Sequence, residues 1–75
     1  MHLIQLQIGE NAVIDYVHVE GALKERLTSL GLLRNESVSI IHFGWFKSTV
    51  QVMINHSLIA LRKEEAACIE VHKVA

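Results

Sequence analysis

Seventy-five residues, about half hydrophobic but with only four aromatic rings, describe a small domain whose core is built from Ile, Val and Leu; folding a chain this short buries only about 60% of its unfolded surface, so that core is thin. Seven Lys and Arg stand against eight Asp and Glu, a balance that leaves no field to hold a phosphate backbone and excludes a nucleic-acid-binding role. Apolar residues recurring throughout a near-neutral chain also exclude disorder.

The opening "MHLIQLQIGE" lacks a basic stretch followed by a long apolar one, so it is not read as a secretory signal. "HLIQLQIG" predicts a short strand ending at Gly9, with Glu10 and Asn11 in a turn. "AVIDYVHVE", rich in β-branched and aromatic residues, predicts the clearest strand of the N-terminal half. Its alternation is imperfect: Val13, Val17 and Val19 share one face while Ile14 and Tyr16 take the other. Core on one side and a helix or loop on the other would produce that pattern.

In "EGALKERLTSLGLL" the period changes, with Leu23, Leu27 and Leu30 recurring at spacings of four and three. That stripe predicts one α-helix over about residues 21–31, its apolar side in the core. Gly31 stands where a C-cap belongs, because glycine takes positive φ without penalty. "RNE" at 34–36 is a turn in which Asn35 can adopt a left-handed conformation.

"SVSIIHF" is the next predicted strand, with Val38 and Ile40 on one face and Ile41 and Phe43 on the other. His42, in step with Val38 and Ile40, is expected to be a partly buried core histidine; His18 and His56 are expected at the surface or in turns. "TVQVMIN" alternates cleanly, Val50, Val52 and Ile54 inward and Gln51 outward, and "NHS" turns the chain into the short strand "LIALR". "KEEAAC" fits one helical turn, its Lys63, Glu64 and Glu65 solvated, and "IEVHKV" closes as a strand with Ile69 and Val71 inward. Five to six short strands, tight turns and one helix predict a mainly β fold, a small, partly open barrel. No repeat, linker or proline divides residues 1–75, which are read as a single domain. No apolar run reaches the roughly 20 residues of a membrane-spanning helix, and the single Cys68 fits a reducing compartment. A cytoplasmic protein without membrane insertion is expected.

The connection inside "IHFGWFKSTVQVMI" is unusual. A hairpin tip normally carries small polar residues, yet here it holds Trp45 and Phe46. Neighbouring residues of an extended segment point to opposite faces, so both rings cannot enter one core. Either one ring folds back onto the barrel end, or the exposed aromatics dock into a partner or a second copy of the chain. Trp45, Phe46 and Lys47 are therefore the candidate partner-binding residues, with Lys47 keeping the tip soluble or meeting an acidic partner.

In order and spacing the chain resembles the FeoA family of bacterial ferrous iron transport. Leu3, Leu6, Gly9 and Ala12-Val13-Ile14 match its opening segment; Leu23, Arg26, Leu27, Leu30 and Gly31 match its helix L-x-x-R-L-x-x-L-G; Ile59-Ala60-Leu61-Arg62, Ala66 or Ala67, Ile69 and Val71 match its closing segment. Two departures stand out. Leu33-Arg34-Asn35 occupies the place of a usual Pro-Gly, and "GWFKST" replaces a Gly- and Pro-rich tip. The resemblance implies an SH3-like β-barrel and a small cytoplasmic accessory protein. It would act by contact with the cytoplasmic, GTPase-bearing side of the FeoB transporter to modulate Fe(II) uptake, recruited to the inner membrane by that partner. The same fold closes metal-dependent repressors, but this chain has no helix-turn-helix.

An iron-transport setting directs attention to metal ligands. Cys68, Glu70 and His72 share the outward face of the last strand, but alternate strand residues lie about 6.5–7 Å apart whereas ligand bonds are about 2.0–2.3 Å. Two neighbours could reach one ion; three would strain. The chain also lacks C-x-x-C and a helical H-x-x-x-H, so no metal site is assigned. A transition-metal-binding or metal-sensing module and a homo-oligomerising domain are the alternative functions. The five histidines add positive charge as pH falls through about 6.5. No nucleophile, base and orienting group are placed together and no phosphate loop is present, so neither catalysis nor a cofactor is expected. Arg26 and Arg62 are read as members of structural ion pairs.

Overall fold

In the computed structural model, which describes residues 1–74, five strands form one antiparallel sheet. They are β1 (Asn11–Val17), β2 (Ser37–Phe43), β3 (Thr49–Ile54), β4 (Ser57–Arg62) and β5 (Ile69–Lys73), joined by helix α1 (Gly21–Ser29) and the single turn α2 (Lys63–Ala66). The sheet order is β4-β3-β2-β1-β5. β4 and β5 do not pair, so the curled sheet stays open, as the expected partly open barrel does.

Period-two alternation builds the core. Ala12 and Ile14, Val38 and Ile40, Val50, Val52 and Ile54, Ile59 and Leu61, and Ile69 and Val71 all point inward and are buried. Two bulges interrupt this pattern. β1 shifts register against β5 between Ile14 and Tyr16, and β2 shifts against β3 between Ile40 and His42. An inserted residue reverses the facing of everything after it. Val17 thus packs against the core while Tyr16 is turned out, and Phe43 does so opposite Val50 while Ile41 and His42 are exposed. His42 is therefore not the core histidine that its step with Ile40 suggested.

The N-terminal segment is not a strand. Leu3–Gln5 form a 3-10 turn, whose three-residue period sets Leu3 and Leu6 on one side; both are buried. The residues on either side of that turn reach the sheet: Met1 exchanges backbone hydrogen bonds with Val71 (3.2 and 2.7 Å) and His2 bridges Glu70, while the Gly9 N–H donates to Ile40 O (2.9 Å).

Helix α1 buries Leu27 and packs Leu23 and Leu30 against the core. It ends through Gly31, at φ +96°, where the Gly31 N–H donates to Thr28 O (3.0 Å) and the Leu32 N–H to Leu27 O (3.0 Å). This double bond is the Schellman closure that positive φ permits, and it draws buried Leu32 under the helix. On α2, Glu65 is not solvated as expected. It is 8% exposed, because its Oε2 accepts from Arg26 and its Oε1 accepts from the Arg62 backbone N–H (2.9 Å).

Candidate functional site

The β2–β3 tip is built by a short run of backbone bonds. The Gly44 N–H donates to Thr49 O (2.8 Å), the Lys47 N–H to Gly44 O (3.0 Å) and the Ser48 N–H to Trp45 O (2.9 Å). The Lys63 N–H donates to Ser48 O (2.9 Å), fixing the tip beside the end of β4. Gly44 suits the tip sterically: a Cβ there would run into the Thr49 hydroxyl unless that side chain turned away. Tight closure forces Phe46 and Lys47 to φ of +52° and +58°, a left-handed region that costs a side-chain-bearing residue on the order of 1 kcal/mol or more.

That backbone throws both rings into solvent. Trp45 is 85% exposed and Phe46 94% exposed, with their centroids 6.3 Å apart and the planes tilted by 53°. Neither folds back onto the barrel. Phe43 fills the barrel end instead, and the Lys47 ammonium sits 4.8 Å from the Phe43 ring centre, a cation–π contact. The three predicted residues stand together on one protrusion.

The backbone brings three cationic residues to the base of the tip, with the exposed Glu64 following them. Lys47 on the tip, Arg62 opposite Thr49 and Lys63 bonded to Ser48 through its backbone are all exposed. Among the described residues none of these three cations joins an ion pair, so the pair expected for Arg62 is not formed, whereas Arg26 pairs with Glu65. The sequence alone does not place Arg62 and Lys63 at the tip. Only the hairpin register brings residues 62 and 63 beside residue 48.

The other chemistry-bearing residues are dispersed. Cys68 is half-buried in the turn before β5, its thiol donating to Glu64 O (3.3 Å). Glu70 Oε1 lies 3.4 Å from His18 Nε2, and His72 Nδ1 lies 2.6 Å from Asp15 Oδ1. Each carboxylate and imidazole of the β5 face is thus engaged across the strand pair. Among the described residues no three His, Cys, Asp or Glu side chains converge as a metal centre would need. No helix there is long and apolar enough to cross a membrane.

The FeoA domain model matches residues 1–73. The chain is 34% identical over 74 residues to Fe(2+) transport protein A of Campylobacter jejuni, covering 99% of this chain and 100% of that protein. It is 28% identical over 75 residues to a Porphyromonas gingivalis fusion of Fe(2+) transport protein A with the Fe(2+) transporter FeoB, covering 100% of this chain and 9% of the fusion. The crystal structure of Stenotrophomonas maltophilia FeoA complexed with zinc, described as a prokaryotic SH3-domain protein, superposes with a TM-score of 0.82 at 29% identity, covering 96% of this chain and 89% of that one. The open five-stranded sheet with its helix is accordingly an SH3-like fold.

Proposed function

Since the chain belongs to the FeoA family, a family of ferrous iron transport accessory proteins, we propose that it works by protein contact, docking its aromatic tip on the cytoplasmic, GTPase-bearing part of a FeoB-type transporter. One observation carries this reading. Trp45 and Phe46 are more than four-fifths exposed, and Phe46 and Lys47 are held at left-handed φ, so the tip bears strain while neither aromatic ring packs on the core. Protruding aromatic rings are typical anchors of interfaces. The surrounding Lys47, Arg62 and Lys63 suit an acidic rim on the partner, steering encounter more than adding affinity.

The fusion relative, which carries an A segment and FeoB in one polypeptide, supports a working association between the two. Contact alone suffices for regulation: a domain that binds one conformation of the transporter more tightly than another shifts its population. No bond-making step is assigned to this chain.

The test is an NMR titration of labelled protein with the transporter's cytoplasmic GTPase domain, and separately with Fe(II) under anaerobic conditions. Shifts confined to residues 43–48 and 62–63 on adding the domain are expected. Shifts at Cys68, Glu70 and a histidine at one equivalent of Fe(II), with no response to the domain, would replace contact by the metal-binding reading.

A further inference from the structure

The sheet has two edges that are treated differently. The outer edge of β5 is covered by Met1 and His2. β4, at the other edge, pairs only with β3. The turn between them has two residues, Asn55 and His56, at φ +49° and +65°, with Ile54 opposite Ser57. In such a primed turn the flanking pair exchanges hydrogen bonds, so the backbone groups of Ser57, Ile59 and Leu61 face β3 and those of Leu58, Ala60 and Arg62 face away. The Arg62 N–H verifies this parity, because it leaves the sheet to reach Glu65 Oε1 at 2.9 Å.

Glu65 therefore closes one end of the edge and stops there. Among the described residues nothing pairs with the outward N–H and C=O groups of Leu58 and Ala60. Edge strands are ordinarily blunted by a charge, a proline or a bulge. Here the register with β3 runs unbroken from Arg62 to Ser57, and both open residues are uncharged, Leu58 at 54% exposure.

We propose that β4 pairs antiparallel with β4 of a second copy, about a two-fold axis through Ile59. That register sets Leu58 opposite Ala60 of the second copy and Ala60 opposite its Leu58. The four open groups on each copy then meet as four hydrogen bonds, because a two-fold axis returns the same donors and acceptors in reverse order. Leu58 and Ala60 share the outer face, so a large side chain lies beside a small one across the axis, at cross-strand spacing. Half-buried Met53, opposite Leu58 on β3, continues the apolar strip. Arg62 falls opposite the Asn55–His56 turn, so no Lys, Asp or Glu faces its like across the pair. The alternation of Leu58 with Ala60, which the two-fold axis turns into large beside small, and the lack of like charges facing each other fit a second copy of the chain. So short a pairing covers less than the roughly 1,200 Å² of lasting complexes, which makes the association weak and concentration-dependent.

Sedimentation velocity on the whole chain from about 10 μM to about 1 mM brackets such a weak equilibrium, with amide exchange followed by NMR at both ends. A rising sedimentation coefficient is expected, together with exchange slowed about tenfold or more at Leu58 and Ala60. Leu58→Lys, which places a charge on the edge without touching the core, should stay monomeric with an unchanged spectrum elsewhere. Trp45→Ala should associate like the parent, which separates this surface from the tip. A monomer at the highest concentration, a dimer whose Leu58 and Ala60 amides exchange freely, or undiminished association of Leu58→Lys would overturn the proposal. Protection of those amides by the transporter's GTPase domain alone would overturn it too.

Discussion

Arg26 on α1 and Glu65 on α2 form an ion pair between positions 39 residues apart, tying the long helix to the turn that follows β4. Glu65 is the sole charged or polar residue buried among the described ones, and it serves two donors at once, the Arg26 guanidinium and the Arg62 N–H. Glu65→Ala removes both acceptors and should cost about 2–3 kcal/mol. Arg26→Ala leaves the Arg62 bond in place and a half-exposed partner position open to water, so about 1 kcal/mol is expected. Urea denaturation followed by circular dichroism measures both; Trp45 fluorescence is a poor probe, since that ring is already in solvent. Equal costs for the two variants would show that the Arg62 cap contributes nothing.

Acid sensitivity should have a local source. Glu10 accepts from Lys73 Nζ (2.8 Å) and from the Gln7 N–H (2.6 Å). The Lys73 hydrogen bond first, then the Gln7 N–H, hold its carboxyl below the ordinary 4.5. A carboxylate whose folded pKa is depressed stabilises the fold above its unfolded value, and that contribution is lost as pH falls through the folded pKa. Lys73→Met should raise the Glu10 pKa toward 4.5 and flatten the fall of melting temperature below that pH, while leaving the neutral-pH spectrum intact. Carboxyl-carbon NMR across the acid range reads the titration directly. An unshifted Glu10 in Lys73→Met would refute the assignment.

The absence of a side chain at Gly44 suits the tip, since a Cβ there would collide with the Thr49 hydroxyl unless that side chain turned away. Gly44→Ala should cost about 1–2 kcal/mol and disturb the resonances of residues 45–48. Thr49→Ala alone should cost under about 0.5 kcal/mol at its exposed site. Combined with Gly44→Ala it should restore most of the loss, so the double-mutant cycle gives a coupling of about 1 kcal/mol. Additive costs would mean that the collision is relieved elsewhere.

Most of the fold is legible in the chain wherever a single period persists. β3 and β4 alternate without interruption and point as the pattern dictates, and α1 carries both its stripe and its Gly31 terminator. The misreadings share a cause: each depends on a partner distant in sequence. A one-residue bulge cannot be seen in "SVSIIHF", because only the pairing of β2 with β3 shows that Ile41 is inserted and that His42 turns outward. Leu3 and Leu6 fit an alternating strand poorly and a three-residue turn well, a distinction that the short stretch "HLIQLQIG" leaves open. Glu65 reads as solvated until Arg26 arrives from α1. At the tip the residues stand out in the sequence as an anomaly, whereas their full exposure follows from a backbone conformation that no periodicity encodes.

That conformation gives the tip a diagnostic signature. Phe46 holds φ +52° with its ring 94% exposed, so it bears backbone strain without compensating burial. Phe46→Gly removes the strain, and although glycine also enlarges the unfolded ensemble, stability should hold or rise by up to about 1 kcal/mol. Trp45→Ala, at 85% exposure, should change stability by no more than about 0.5 kcal/mol. Both variants should weaken binding to the transporter's GTPase domain by about tenfold or more, the loss expected for an aromatic anchor. Residues kept for packing lose stability when truncated; residues kept for contact lose affinity while stability stays level or improves. Thermal melts and calorimetric titration of the same two proteins separate these cases. A destabilised Phe46→Gly, or unchanged affinity in both variants, would return the tip to a structural role.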